Sequence, residues 1–223
     1  MAELTLGIDD AGRGPVIGPI VLAGCLLTKE QSRELKKLGV KDSKDLTNKR
    51  REFLAEKIKK TAETFETTLA HPNEIDNNLN NGTNLNILEA ILAARIINKI
   101  NKGFKEIKVI IDCPSVSIEK WKNILKTKIE NLSNLEIICE HKADKNHVEV
   151  SAASILAKST REKEMDSLRE KFGKQIGSGY SSDVVTCNFL EKYAEKHKED
   201  GIFRQTWSTW KNACAKIQQK KLV

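Results

Sequence analysis

Two apolar, β-branched runs stand only a few residues apart at the start of the chain, and this spacing restricts the fold more than any other feature. Leu4–Ile8 is a short run interrupted by Thr5 and Gly7; Val16–Leu27 is a longer one, and Ala11-Gly12-Arg13-Gly14-Pro15 falls between them. Two strands with a short glycine-rich connection form an antiparallel hairpin. Downstream the period changes. Thr47 opens a charged helix with Phe53, Leu54 and Ile58 as its expected inner face, and Phe65, Thr67 and Leu69 alternate with polar residues as a third strand. From Thr83 to Lys102, Leu85, Leu88, Ile91, Leu92 and Ile96 recur at helical spacing, and Gly103 ends the helix.

The remainder alternates in the same way. Ile107–Ile111 is a buried-type strand ending at Asp112, with Pro114 forbidding continuation. Ile118–Asn131 reads as a helix, Leu135–Cys139 as a strand, and the loop after it carries Asp144. Val148–Phe172 is a long helix broken at Gly173, Gly177–Tyr180 is a loop, Asp183 caps another helix, and Thr206 or Ser208 caps the last. A hairpin followed by alternating helices and strands predicts an α/β fold, a mixed β-sheet flanked by helices. Helices dominate the last third, so the expected organisation is a catalytic domain over residues 1–174 and a small C-terminal helical appendage over 175–223.

Composition narrows the class. Of the 223 residues 39% are hydrophobic and 31% charged, enough for a sizeable core beneath a heavily charged surface. No run of about 18 apolar residues is present, which argues against a membrane-spanning helix. The first ten residues have neither a basic segment nor an apolar core of useful length, so no signal peptide is expected. Five cysteines are spread singly with no CxxC, which fits a reducing cytoplasm better than a disulfide framework or a zinc site. The net charge of +7 is concentrated at one end: from Ile202 onward there are Arg204, Lys211, Lys216, Lys220 and Lys221 and no acid. A basic end interleaved with Trp207 and Trp210 suits a polyanion such as nucleic acid, although a solvated basic helix with its tryptophans turned inward has the same composition.

Three apolar strands lead into aspartates: Gly7-Ile8-Asp9-Asp10, Val109-Ile110-Ile111-Asp112, and Ile137-Ile138-Cys139 with Asp144 five residues on. A single strand-end aspartate is an ordinary loop starter. Several converging on one sheet edge, where ligands of open α/β sheets bind, repel one another unless a divalent cation neutralises them. Oxygen-only ligation selects Mg²⁺ or Mn²⁺, and two such ions about 3.5–4 Å apart form the clamp used in phosphodiester cleavage. Because successive strand residues face opposite ways, a break in strand geometry after Asp9 is expected if Asp9 and Asp10 share one site. Gly12-Arg13-Gly14 offers close backbone approach and a planar donor for phosphate, and Asp42-Ser43-Lys44 offers a hydroxyl and an ammonium ahead of a helix. A plain hairpin turn and a plain capping loop would look the same. The four histidines show no zinc spacing, and no nucleophile elbow, phosphate loop or dinucleotide fingerprint occurs.

Taken together these segments resemble type 2 ribonuclease H (ribonuclease HII). The resemblance rests on Gly7–Pro19, Asp42–Thr47, Ile110–Asp112, His141–Asp144, Val150–Lys158, Thr160-Arg161 and Gly177–Tyr180, in family order over roughly residues 6–210. Gly82-Thr83 with Leu85-Asn86 and the short helical tail look most like the archaeal single-subunit branch. The resemblance implies a ribonuclease-H-like fold and a monomeric, cytoplasmic endonuclease. Its substrates would be RNA/DNA hybrids and ribonucleotides embedded in duplex DNA, cut to leave 3′-hydroxyl and 5′-phosphate ends. By motif position Asp9, Asp10, Asp112 and Asp144 would be the catalytic, metal-binding carboxylates. Gly12, Arg13 and Gly14 would read the ribose 2′-OH, Tyr180 would stack on the neighbouring sugar, and Ser43 and Lys44 would hold the DNA strand.

Two positions depart from the family pattern. Asp10 stands where glutamate is usual, retracting the carboxylate by roughly 1–1.5 Å, more than the ~0.5 Å tolerance of a preorganised site. Either the backbone shifts to compensate, or metal preference and rate change. Ser181 replaces the proline after the tyrosine, restoring φ freedom to that loop. An active enzyme is expected. The alternatives are a hybrid-binding protein whose cleavage is weakened by Asp10, or an actin-like ATPase, which would need a nucleotide loop that the sequence does not show.

Overall fold

The computed structural model describes residues 3–40 and 46–221. In chain order the elements are β1 (Leu4–Ala11), β2 (Ile20–Thr28), α1 (Lys29–Lys37), α2 (Asn48–Thr61), β3 (Thr64–Ala70), α3 (Pro72–Asn80), α4 (Leu85–Ile100) and β4 (Ile107–Asp112). There follow α5 (Ile118–Lys126), β5 (Leu135–Glu140), α6 (Ala143–Asn146), α7 (Val148–Phe172), α8 (Val184–Tyr193) and α9 (Ser208–Lys221). The strands form one mixed sheet in the order β3-β2-β1-β4-β5. β1 runs antiparallel to β2 and parallel to β4, and β4 runs parallel to β5. The expected hairpin, mixed sheet and flanking helices are all present.

Among the described residues the chain packs as two compact units. The first comprises residues 3–11, 21–40, 46–69 and 86–160; the second comprises 12–20, 70–85 and 161–221. In the first, β1 and β2 are covered on both faces, which is why they read as near-continuous apolar runs rather than alternating ones. Two glycines make this close packing possible. A side chain on Gly7 would strike the backbone of Glu149 and Val150 in α7, and one on Gly24 would strike Ile96 of α4. One face of the sheet therefore receives α7, with Ala152, Ile155 and Leu156 packed on Ala23, Cys25 and Leu27. The other receives α4. In the second unit, Val16, Ile17, Met165, Ile176, Phe189 and Phe203 form a separate core, with Trp207 and Trp210 packed against it.

Several boundaries differ from expectation. β2 starts at Ile20, because residues 16–18 are bonded elsewhere: the N–H groups of Val16 and Ile17 both donate to the Gly179 carbonyl, and that of Gly18 donates to Ile202. α4 begins at Leu85 and ends at Ile100, α5 stops at Lys126, and α9 begins at Ser208. Phe53 does not face inward; it is 45% exposed, with Arg50 and Lys57 over its ring, while Leu54, Ala55 and Ile58 form the inner face of α2. Among the described residues no helix is long and apolar enough to cross a membrane.

Candidate active site

β1 carries both of its aspartates in regular strand geometry. Asp9 pairs with Ala23, Asp10 with Leu22 and Ala11 with Val21, so the ladder continues past both acids and the expected break after Asp9 does not occur. Opposed residues of an antiparallel pair share a face. Asp9 thus lies on the α7 face, where the Ser154 side chain hydrogen-bonds its carboxylate, and Asp10 lies on the α4 face. The two meet at the strand end rather than through a kink. Asp9, Asp10 and Asp112 line one small cavity together with Leu22, Glu89 and Pro114. The parallel register pairs Ile8 with Ile111, so the next position sets Asp9 beside Asp112 on the adjacent strand.

Asp9 is buried, and burial is the largest of the effects that raise its pKa well above the ordinary carboxylate range. The charge of Asp10 and, more weakly, that of Asp112 push it the same way; the Ser154 hydrogen bond, which outweighs the Asp112 charge, and the Asp10 N–H oppose them. Three carboxylates with this electrostatic relationship fit a bound divalent cation, which would remove both penalties at once.

Asp144 is placed by a tight local turn. Lys142 adopts the left-handed conformation at φ 59°, uncommon for a residue with a side chain, and turns the chain from β5 straight into α6. Asp144 is therefore in a one-turn helix rather than a loop. It is 4% exposed, and the neighbouring Ala143 N–H donates to Asp112 Oδ1 at 3.1 Å. Among the described residues no three acidic, histidine or cysteine side chains stand in ligating geometry; the small cavity brings together Asp9, Asp10 and Asp112, and Asp144 is tied to them through the Ala143 N–H on Asp112. His141 is placed for a hydrogen bond to the Cys113 carbonyl at 3.1 Å, and His147 lies 2.9 Å from Glu140.

The second unit holds the other candidate residues. Gly12 has φ +83°, and a side chain there would collide with Arg161 and with the Pro19 carbonyl, so only glycine fits. A Cβ on Gly14 would meet nothing nearer than the Tyr180 ring, at 4.0 Å. Gly14 and Tyr180 are thus neighbours, and a Cβ at Gly14 would stand in van der Waals contact with the ring. The guanidinium of Arg161 lies 5.1 Å from the Tyr180 ring centroid and donates to the Ser178 carbonyl, fixing the ring from one side. Asp183 fixes the loop from the other. It accepts from the Ser178 N–H and hydroxyl, the Val185 N–H and the Thr186 hydroxyl, and these bonds, led by the Ser178 N–H, hold its pKa at about 2. Ser43 and Lys44 lie outside the described residues.

The family model for ribonuclease HII matches residues 6–210. The chain belongs to the ribonuclease HII family. It is 42% identical to the ribonuclease HII of Methanocaldococcus jannaschii, with 99% of each chain covered. It is also similar to the crystal structure of ribonuclease H2 from Pyrococcus horikoshii OT3, at 34% identity and TM-score 0.86, covering 97% of this chain and 99% of that one. The ribonuclease HII in the PCNA:RNase HII complex from Archaeoglobus fulgidus matches at 36% identity and TM-score 0.80, covering 92% and 95%. As a ribonuclease HII family member the chain is an enzyme, an endonucleolytic hydrolase with the ribonuclease-H-like fold expected from its motifs.

Three residues that shape these groups had been given no such role from the sequence. Ser154 bonds Asp9 from α7, and Arg161 orients Tyr180. Arg204, read as one of five tail cations, is fully buried and donates to the carbonyls of Gly12, Arg13 and Gly18. A lone arginine ahead of a tryptophan carries no local signal for that role, because its partners lie at the other end of the chain.

Proposed function

We propose that the protein cuts the RNA strand of RNA/DNA hybrids and cuts at single ribonucleotides embedded in duplex DNA, leaving 3′-hydroxyl and 5′-phosphate ends. The observation that carries this reading is the buried Asp9 carboxylate, pushed toward its neutral form by burial and by the charges of Asp10 and Asp112. Two divalent ions, Mg²⁺ or Mn²⁺, would be held by Asp9, Asp10, Asp112 and Asp144, and would activate a water and stabilise the leaving 3′-oxygen. The chain's own contribution is to hold these carboxylates in place. Ser154 and the Asp10 N–H each bind the Asp9 carboxylate, and the Ala143 N–H binds one oxygen of Asp112, so none of the three bonds has to form during the reaction.

Selection of RNA falls to Gly12, Arg13, Gly14 and Tyr180. Backbone donors of the Gly-Arg-Gly loop would meet the 2′-OH, the group that separates RNA from DNA, and the Tyr180 ring would lie on the adjoining sugar. Ser43 and Lys44 would hold the phosphates of the DNA strand. The five cysteines are all free thiols, in keeping with a reducing cytoplasm, where the protein would work as a monomer.

Cleavage of a duplex with one ribonucleotide, in Mg²⁺ and separately in Mn²⁺, with the product ends identified, tests the reading. Cutting on the 5′ side of the ribonucleotide to give a 3′-hydroxyl and a 5′-phosphate is expected. Tight hybrid binding with negligible turnover in both metals would favour instead a binding protein disabled by Asp10.

A further inference from the structure

Arg204 is a charged side chain with no exposed surface, held 186 to 192 positions away in sequence from the groups it bonds. Its Nη2 donates to the Gly12 carbonyl at 2.6 Å, Nη1 to the Arg13 carbonyl at 2.8 Å and Nε to the Gly18 carbonyl at 3.0 Å. Trp207 completes the set, its indole N–H donating to the Gly14 carbonyl at 3.1 Å, with the Arg204 guanidinium 5.0 Å from its ring centroid. Every carbonyl from Gly12 to Gly14 is thereby drawn toward the 204–207 segment. In a planar trans peptide the N–H of the next residue points opposite to the carbonyl. Holding the Gly12 and Arg13 carbonyls therefore turns the N–H groups of Arg13 and Gly14 to the other side of the loop.

The 204–207 segment has its own anchor. Asp76 of α3 is 9% exposed, and its Oδ2 accepts from the Gln205 N–H at 2.6 Å. Its Oδ1 accepts from the Thr206 N–H at 3.0 Å and from the Thr206 hydroxyl. One carboxylate thus fixes the two residues that follow Arg204. From the upstream side the Arg204 N–H donates to the Val16 carbonyl at 2.9 Å. A buried cation kept in place for three carbonyls is costly unless all its donors are used, and here each of its three kinds of nitrogen has an acceptor.

We propose that Arg204 is a positioning residue for ribonucleotide recognition, acting with Trp207 and anchored by Asp76. Its fork draws the carbonyls of the Gly-Arg-Gly loop inward and presents the Arg13 and Gly14 amides to the 2′-OH. The inference rests on that loop being the ribose reader, and it assigns the preorganisation of the reader to a residue that touches no substrate.

The test compares kcat and KM on a duplex with one ribonucleotide against a long RNA/DNA hybrid, alongside thermal melting, for Arg204→Lys, Trp207→Phe and Arg13→Ala. Lysine keeps the charge but cannot bond three carbonyls as a planar fork. Phenylalanine keeps an aromatic ring beside the guanidinium but removes the N–H bonded to Gly14 and part of the indole's packing surface. For Arg204→Lys the ratio of kcat/KM on the single ribonucleotide to that on the hybrid should fall by about tenfold, the worth of one to two hydrogen bonds. Trp207→Phe should show a smaller fall in the same ratio with a smaller loss of melting temperature than Arg204→Lys, and it decides the matter if Arg204→Lys does not fold. Equal losses on both substrates that follow the loss of melting temperature would overturn the role. So would an unchanged ratio in Arg204→Lys and Trp207→Phe beside a changed one in Arg13→Ala, with the reading of the loop intact. An unchanged ratio in all three variants would overturn this role as well, and would take the Arg13 side chain out of the loop reading while leaving its backbone amides as the readers.

Discussion

The backbone N–H of Asp10 donates to the Asp9 carboxylate at 2.8 Å, so the second acid of the pair orients the first through its backbone while repelling it through its side chain. The two effects are unequal. Burial is the largest contribution and repulsion from Asp10 the next, and together they outweigh the hydrogen bonds that favour the ionised form. A carboxylate in that position is poised to gain from any cation that arrives.

Asp9→Asn and Asp112→Asn should each lower cleavage by at least about 10²-fold, since each removes one charge from the expected metal clamp. Asp9→Asn should also raise the melting temperature of the metal-free protein at neutral pH. The folded-state pKa of Asp9 is raised, so its protonated form favours folding fully below about 3.9, the unfolded value. That advantage is lost as pH rises through the folded value, and above the unfolded value burying the group costs stability. Asparagine carries no such cost. Added Mn²⁺ or Mg²⁺ should then stabilise the native protein more than the variant. Melting curves with and without metal check the sign, and a variant less stable than the native protein without metal would contradict the electrostatic account.

Tyr180→Ala should reduce cleavage at a lone ribonucleotide more than cleavage of a long hybrid. A long hybrid presents many registers, whereas a single ribonucleotide presents one geometry. Arg161→Ala should act in the same direction, because it leaves the ring present but removes its support and the side chain packed against Gly12. The quantity to measure is the ratio of the two activities; if it stays constant in both variants, the ring does not read the junction.

The placement of the acids was legible because two apolar runs each end in one: Asp9 and Asp112 follow directly from Leu4–Ile8 and Ile107–Ile111, and the parallel pairing of those strands sets them side by side. Other features were written across the chain rather than along it. Arg204 reads as solvent-facing charge in a basic tail, and only its contacts to Gly12 and Arg13 reveal it as buried structure. α3 was missed because PNEIDNNLN is rich in asparagine, a weak helix former, and buries only Pro72, Ile75 and Asp76. α1 did have a local signature. Thr28 and Gln31 form a capping box, with the Gln31 side chain accepting from the Thr28 N–H at 2.8 Å, and the T-x-x-Q spacing announces it.

The tail should contribute affinity rather than chemistry, with fewer cations than composition implies. Arg204 is fully buried, and Lys216 pairs with Glu191 at 3.1 Å, both partners well exposed, so that pair is easily exchanged for a phosphate. Neutralising Lys216, Lys220 and Lys221 together should weaken duplex binding and reduce the slope of log affinity against log salt. The rate at saturating substrate should hardly change. Binding titrations at several salt concentrations measure the slope directly, and an unchanged slope would leave α9 a solvated helix end.

Asp10→Glu tests what the shorter acid does. A compensating backbone shift at Asp10 would take the form of a bulge or a break in the ladder, pushing the carboxylate forward. The pairing of Asp9, Asp10 and Ala11 with Ala23, Leu22 and Val21 is continuous instead. The Cα of Asp10 is thus held where a regular strand puts it, and its carboxylate stops roughly one methylene short of where glutamate would reach. Mg²⁺ demands near-ideal octahedral geometry and tolerates that shortfall poorly. Asp10→Glu should therefore raise activity several-fold in Mg²⁺, by roughly the worth of one recovered charge-assisted hydrogen bond or ligand contact. In Mn²⁺, where the longer metal–oxygen distance already spans part of the gap, the gain should be smaller. Activities of both proteins across titrations of each metal decide the point. A loss in both metals would mean that the pocket formed with Glu89 and Pro114 has closed around the shorter side chain and leaves the longer one no room.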